Sequence, residues 1–114
     1  GQIYQSLSKV ELPHSQTQEP MAVVSQANPG LIARDFMSMM ENQRKLDPFS
    51  VQDLIKICQH AGQHFIYDNL PIGDQSQSPS DYIDQLSAST GVPKTLCGRN
   101  MDKIFTVLDQ MEDF

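Results

Sequence analysis

The chain has 114 residues, 39% of them hydrophobic and none of them Trp, which suits one domain, or one domain with a tail, around a modest core. The formal net charge is −6 and no segment is basic, so we expect neither nucleic acid nor an anionic membrane as a partner. No apolar run reaches the length of a membrane span. Cys58 and Cys97 lie in helical patterns rather than in turns, which favours a reducing, cytoplasmic location over a disulfide framework.

Residues 1–28 predict an extended arm. They are rich in Gln, Ser and Pro, and only the segments 9–12 and 21–24 carry the apolar residues of short strands. A lone pair of short strands is marginally stable in water, so we expect the arm to lie extended against another surface. A disordered linker is the alternative, because polar tracts of this kind often stay unfolded.

Residues 29–114 predict an all-α fold, a small bundle of about four helices. Asn28 is a suitable N-cap for the first helix, which should end before Pro48 because the residue preceding a proline avoids the helical region. Ser50 opens the second helix, whose apolar side chains recur at the helical period as far as Ile66. This second helix is the most strongly patterned element of the chain.

The first helix also carries three methionines, which have two interpretations. Met37, Met39 and Met40 lie close together in the sequence. Flexible, polarisable side chains of this kind suit an adaptable binding face, and they equally suit gap-filling in a lean core. The sequence leaves both interpretations open and favours the core.

The third and fourth helices are expected to form a helix-turn-helix-like pair after a polar loop at 72–78. Gly91 can take the left-handed conformation that ends the third helix, and Pro93 starts the fourth with its φ preset. The pair has the local form of a DNA-binding helix-turn-helix. However, residues 80–114 hold six acidic and three basic side chains, which opposes phosphate contacts. A DNA-binding protein therefore stays an alternative rather than the preferred function.

The fourth helix carries a long apolar seam that we predict to be a docking face. Its members follow one another at steps of four, three, four and three: Cys97, Met101, Ile104, Leu108 and Met111. The third helix, about ten residues long, covers only two or three turns of that seam. We therefore expect the uncovered end to mediate self-association as a symmetric dimer. The helix is expected to run to the end of the sequence and to belong to a longer protein.

Two groups of reactive side chains have a simpler structural explanation. His60, His64 and Asp68 share one helix face, but no Glu stands beside the first His as in zinc enzymes, so a solvated polar face is preferred. Cys58 and Cys97 lack a base partner and fit as small core residues. The sequence therefore predicts no catalytic, cofactor-binding or metal-binding residue in this chain.

Roughly residues 48–114 resemble the amino-terminal region of a bacterial group within the aldehyde dehydrogenase superfamily. The likeness is carried by Asn-Leu-Pro-Ile-Gly-Asp (69–74), Ser-Pro-Ser-Asp-Tyr (78–82), Leu-Ser-Ala-Ser-Thr-Gly-Val-Pro (86–93), Leu-Cys (96–97) and Asn-Met-Asp-Lys-Ile (100–104). In such proteins this helical region looks like a preface to the NAD(P)-binding and catalytic domains. The match ends before any of their catalytic residues.

The resemblance implies a parent oxidoreductase that oxidises an aldehyde through a cysteine thiohemiacetal and passes hydride to NAD or NADP. The catalytic cysteine, general base and nucleotide fold would lie beyond Phe114, so no functional residue is carried over. The expected role of this chain is a non-catalytic docking module that packs on the remaining domains or on a neighbouring subunit of a homo-oligomer. A free-standing helical interaction domain is a further alternative.

Overall fold

The structure is a computed structural model that describes residues 4–113. Residues 1–3 of the predicted arm and residue 114 of the predicted helical module lie outside the described residues. The chain divides into two compact units, an N-terminal unit, Gly1–Pro48, and a C-terminal unit, Phe49–Phe114. The predicted boundary between the arm and the first helix, after residue 28, lies within the N-terminal unit.

The prediction of an all-α fold is wrong, because the fold is mixed α/β. Residues 4–113 contain five α-helices and two antiparallel two-stranded sheets. In the first sheet β1 (Lys9–Pro13) pairs with β2 (Pro20–Ser25), and in the second β3 (Leu70–Ile72) pairs with β4 (Gln75–Gln77). The strands lie in the segments that the sequence assigns to the arm and to a polar loop.

The first hairpin forms because the two strand-like segments of the arm pair with each other. Val10 lies opposite Val24 and Leu12 opposite Ala22, so apolar side chains match across the ladder. In the connecting loop, the Gln18 amide donates to the His14 carbonyl at 2.9 Å. Main-chain groups within residues 9–25 therefore bond to one another.

Two short helices stand where the sequence predicts one. Asn28 accepts a hydrogen bond from the Leu31 amide at 2.8 Å and caps α1 (Pro29–Met37), as expected. At Ser38 the backbone has φ −87° and ψ 1°, which interrupts the helix before α2 (Met39–Leu46). No side chain of α1 or α2 is buried, so packing does not hold the two segments in one continuous helix.

The second hairpin depends on one glycine. Gly73 has φ 61° and occupies the first position of the two-residue turn between β3 and β4, where a type II′ turn requires a positive φ. β4 has the sequence Gln-Ser-Gln, which contains none of the β-branched or aromatic residues that indicate a strand. The Gln77 side-chain amide donates to Oε1 of Gln85 at 2.5 Å and ties the hairpin to the next helix.

The longest helix and the one after the second hairpin begin with capping boxes. In α3 (Val51–Tyr67) the Asp53 amide donates to Ser50 Oγ, and the Asp53 carboxylate accepts from the Ser50 amide at 3.0 Å. Ser78 and Asp81 repeat this arrangement at α4 (Pro79–Thr90). The serine side-chain and backbone hydrogen bonds lower the pKa of both carboxyl groups below their ordinary value of 3.8.

The core of the C-terminal unit lies where α3 and α4 pack on α5 (Lys94–Asp109). Phe65 and Tyr82 join α3 to α4 through an edge-to-face contact with ring centroids 5.2 Å apart. The α-helix stops at Asp109, and a 3-10 turn, Met111–Asp113, packs back on α3. The acidic residues of this turn lie at the negative end of the helix dipole, which disfavours further α-helix.

Candidate functional site

The connection between α4 and α5 fixes the direction of α5. Gly91 ends α4 with φ 76°, as the sequence predicts, and Ser87 Oγ donates to the Val92 carbonyl at 2.7 Å. The Pro93 carbonyl then accepts from the Cys97 amide and opens α5. These local bonds fix the turn between α4 and α5.

One side of α5 faces the core, and we call it the inner face: Cys97, Met101, Phe105 and Leu108. Cys97 is 1% exposed and Met101 is 3% exposed. Gly62 of α3 allows close approach here, because a Cβ at this position would lie 3.1 Å from Leu108 Cβ. The inner face therefore holds the C-terminal unit together.

Hydrogen bonds from α3 also fix the carboxyl end of α5. The Gln59 side chain donates to the Asp109 carbonyl at 3.0 Å, and the Gln63 side chain donates to the Asp109 carboxylate at 3.4 Å. The Asp109 carbonyl is one of the last of α5 and has no hydrogen-bond partner within that helix, so α3 supplies the missing donor.

A second apolar strip runs along α5 beside the first, and we call it the outer face: Leu96, Ile104 and Val107. Their exposed fractions are 48%, 37% and 47%. At about 100° per residue, each face occupies an arc of roughly 80°, and the two arcs adjoin. About half the circumference of α5 is therefore apolar, and its neighbours in the unit bury only one part of it.

The five residues of the predicted docking face fall into different environments. Cys97 and Met101 are buried in the unit, while Leu108 and Met111 are half-buried. Ile104 alone lies on the outer face. The predicted seam follows a repeat of 3.5 residues, whereas the inner face follows steps of four, four and three, so Phe105 takes the inward position. Within this set, Ile104 has the largest exposure available to a partner.

The predicted docking face leaves out two members of the outer face, Leu96 and Val107, although Val107 is predicted to widen the apolar surface beside the seam. They are separated by 11 residues, close to three helical turns, and Ile104 lies between them on the same side. A period of 3.6 residues per turn places these three residues on one side of the helix. The heptad repeat instead places Val107 beside the seam.

The charges along α5 oppose the DNA-binding alternative. Lys94 Nζ lies 2.8 Å from Asp84 Oδ1, so the first basic residue of the helix is already paired. Arg99 and Lys103 make no salt bridge among the described residues. Two cations on an acidic unit give a small positive area compared with the phosphate contacts of a recognition helix.

The histidines and cysteines form no reactive group in the part of the chain that the structure describes. His64 Nδ1 lies 2.6 Å from Asp68 Oδ2 on the exposed surface of α3, and residues 4–113 contain no cluster of three metal-binding side chains. Cys58 and Cys97 are free, and the buried Cys97 thiol contacts the Val92 carbonyl at 3.6 Å. The burial of Cys97 fits the role of a small core residue.

The methionine-rich segment lines a shallow groove in the N-terminal unit. The groove has a volume of about 330 Å³ and is lined by Ile32, Asp35, Phe36, Met39 and Asn42. Met37 is 80% exposed, and Met40 is also exposed. The three methionines therefore lie on the surface of this unit rather than in a packed core.

The described residues do not fit a nicotinamide dinucleotide. Such cofactors are held where a strand of a parallel sheet passes through a glycine-rich turn into a helix. Both sheets of residues 4–113 are antiparallel hairpins. We therefore derive no step of hydride transfer from this chain.

Comparisons with protein-family models, with curated proteins and with solved structures give no match. The resemblance to the aldehyde dehydrogenase superfamily accordingly stays a prediction. Within residues 4–113, no helix has the length and apolar character needed to cross a membrane.

Proposed function

We propose that this chain is a non-catalytic docking module that binds through the outer face of α5. The observation that carries the proposal is the outer face of α5, which stays exposed beside the packed inner face. Single exposed apolar residues are common on proteins, but three of them lie on one side of α5 within three helical turns, with Asn100 between Leu96 and Ile104. The helix is anchored at both ends, so the outer face is presented on a rigid element.

The same proposal assigns the module to an NAD(P)-dependent aldehyde dehydrogenase-like oxidoreductase. Its support is the sequence resemblance over residues 48–114. Nicotinamide and the aldehyde would be bound by other domains of that polypeptide, and this module would pack on them or on a neighbouring subunit of the oligomer. Two free thiols fit the reducing environment of the cytoplasm, where we place the protein.

The reading frame after Phe114 in the encoding gene tests the enzyme assignment. We expect it to continue into a nicotinamide-binding fold followed by a catalytic cysteine. A stop codon directly after Phe114 would refute the dehydrogenase assignment. The outer face would then favour the alternative, a free-standing helical interaction domain.

A further inference from the structure

Charges are segregated along α5 and the 3-10 turn that follows it. Residues 94–103 hold three basic side chains and one acidic side chain, whereas residues 104–113 hold three acidic side chains and none that is basic. Lys94 is paired with Asp84 inside the unit. The two cations left for other interactions, Arg99 and Lys103, are exposed near the outer face.

This segregation decides how two copies of the helix can meet. A parallel arrangement would bring the basic halves together and the acidic halves together, and like charges that face each other repel. An antiparallel arrangement brings the basic half of one copy against the acidic half of the other. Each copy carries a net charge of −6, so two copies repel each other overall. At physiological salt, however, charges more than about 8 Å apart are largely screened, and the interaction between charges close to the contact is the larger effect.

We propose that the outer face of α5 binds the same face of a second copy in antiparallel orientation. The inference rests on the proposed docking function and names its partner. With a two-fold axis between Ile104 and Val107, each of these side chains lies opposite the other in the second copy. The basic half of α5, with Arg99, then lies at the end of the contact where α5 of the second copy passes into its acidic 3-10 turn, which holds Glu112 and Asp113. Such a contact is self-complementary and closes at two subunits.

Four proteins measured by sedimentation equilibrium test the charge arrangement. The first is the unmodified chain, for which we expect a dimer. R99E/K103E makes the basic half acidic, and E112K/D113K makes the acidic half basic. We expect each of these pairs to raise the dimer dissociation constant about tenfold or more, because every change acts twice across a two-fold axis.

The fourth protein combines both pairs of changes and carries the decisive comparison. It keeps the net charge of −6 and restores opposite charges across the antiparallel contact. We expect its dissociation constant to return to within about threefold of that of the unmodified chain. The antiparallel contact is refuted if the dissociation constant of the combined variant is as high as that of the weaker-binding pair. It is also refuted if E112K/D113K dimerises more tightly than the unmodified chain, because net charge alone would then explain the affinity.

A distance measurement checks the orientation independently. Thr95 is exposed, so a spin label on T95C in a C58A background reports on α5, while the buried Cys97 stays unlabelled. An antiparallel pair with its axis between Ile104 and Val107 separates the two labels by on the order of 30 Å, at 1.5 Å of rise per residue. A parallel pair separates them by about 10 Å, the spacing of packed helices, and this result would overturn the proposal.

The failure of this inference is distinguishable from that of the proposed function. An unmodified chain that stays monomeric at the highest soluble concentration refutes the pairing of two copies. The dehydrogenase assignment depends on the reading frame after Phe114 and is unaffected by that outcome.

Discussion

At the scale of single residues, Gly62 has the most stringent position in the C-terminal unit. It is buried where α3 approaches α5, and an added Cβ would lie 3.1 Å from Leu108 Cβ and 3.5 Å from Phe105 Cδ2. The nearest atom is attached directly to the backbone of α5, so it is not free to rotate away. Relief of the contact requires the two helices to move apart.

We predict that G62A destabilises the chain despite the better helix propensity of alanine. Overpacking costs roughly 1–3 kcal/mol, and the gain in helix propensity is about 1 kcal/mol, so a net loss of about 1 kcal/mol remains. Urea unfolding followed by circular dichroism measures the change in the free energy of unfolding.

G98A is the matched control for that substitution. Gly98 lies within α5, and its added Cβ would make only an ordinary contact of 3.8 Å with Ile83 Cδ1. Helix propensity alone then predicts a gain of about 0.5–1 kcal/mol. Equal effects of the two substitutions would show that the close approach at Gly62 is not the cause.

At the scale of secondary-structure elements, the capping boxes make α3 and α4 sensitive to acid. Hydrogen bonds from Ser50 lower the pKa of Asp53 below 3.8, and Ser78 does the same for Asp81. A lowered pKa in the folded state means that the carboxylate stabilises the fold above its unfolded pKa. This contribution is lost as the pH falls through the folded value, which lies below 3.8.

We predict that D53N/D81N has a lower melting temperature than the unmodified chain at neutral pH. The difference should shrink as the pH falls through the lowered pKa values of the folded state, which lie below 3.8, because the unmodified carboxyl groups then also become neutral. Thermal melts of both proteins between neutral and acidic pH, followed by circular dichroism, provide the measurement. A difference that does not change with pH would mean that the charge of the carboxylates plays no part.

Local hydrogen-bonding chemistry made part of the fold predictable. Asn28, Ser50 and Ser78 cap helices as their side chains indicate, and Gly91 takes the left-handed conformation. Both hairpins were missed as paired strands. The first is joined by residues 14–19, which contain no Gly or Asn to mark a tight hairpin turn, and the second contains the polar strand Gln75–Gln77, whose composition resembles a loop.

The predicted docking face and the outer face lie on the same helix but share only Ile104. A seam defined by sequence spacing shows which residues are apolar and share a side, not which part of that side a neighbouring helix covers. Gly62 lets α3 approach α5 near Phe105 and Leu108. Contacts between helices distant in sequence, which spacing along α5 does not show, therefore determine which apolar side chains of α5 are buried.

At the scale of the whole molecule, we predict that the chain binds neither NAD nor NADP. The reason is the antiparallel pairing of both sheets in the described residues, which leaves no strand, glycine-rich turn and helix to hold a pyrophosphate. Calorimetric titration with each dinucleotide should give no heat of binding. A site with micromolar affinity would contradict the assignment of a docking role without catalysis.

The central claim is that the outer face of α5 is the docking surface of the module. The most direct test compares I104E/V107E with V51E/I57E by sedimentation velocity. The second variant adds the same charge at two exposed apolar positions of α3. Circular dichroism of both variants establishes that each retains its helices.

We predict that the unmodified chain and V51E/I57E sediment as dimers and that I104E/V107E sediments as a folded monomer. The physical reason is that a charge on the outer face loses its hydration when a partner covers it, whereas the substituted positions of α3 stay in water. If I104E/V107E remains a dimer, or if V51E/I57E dissociates equally, the outer face of α5 is not the docking surface.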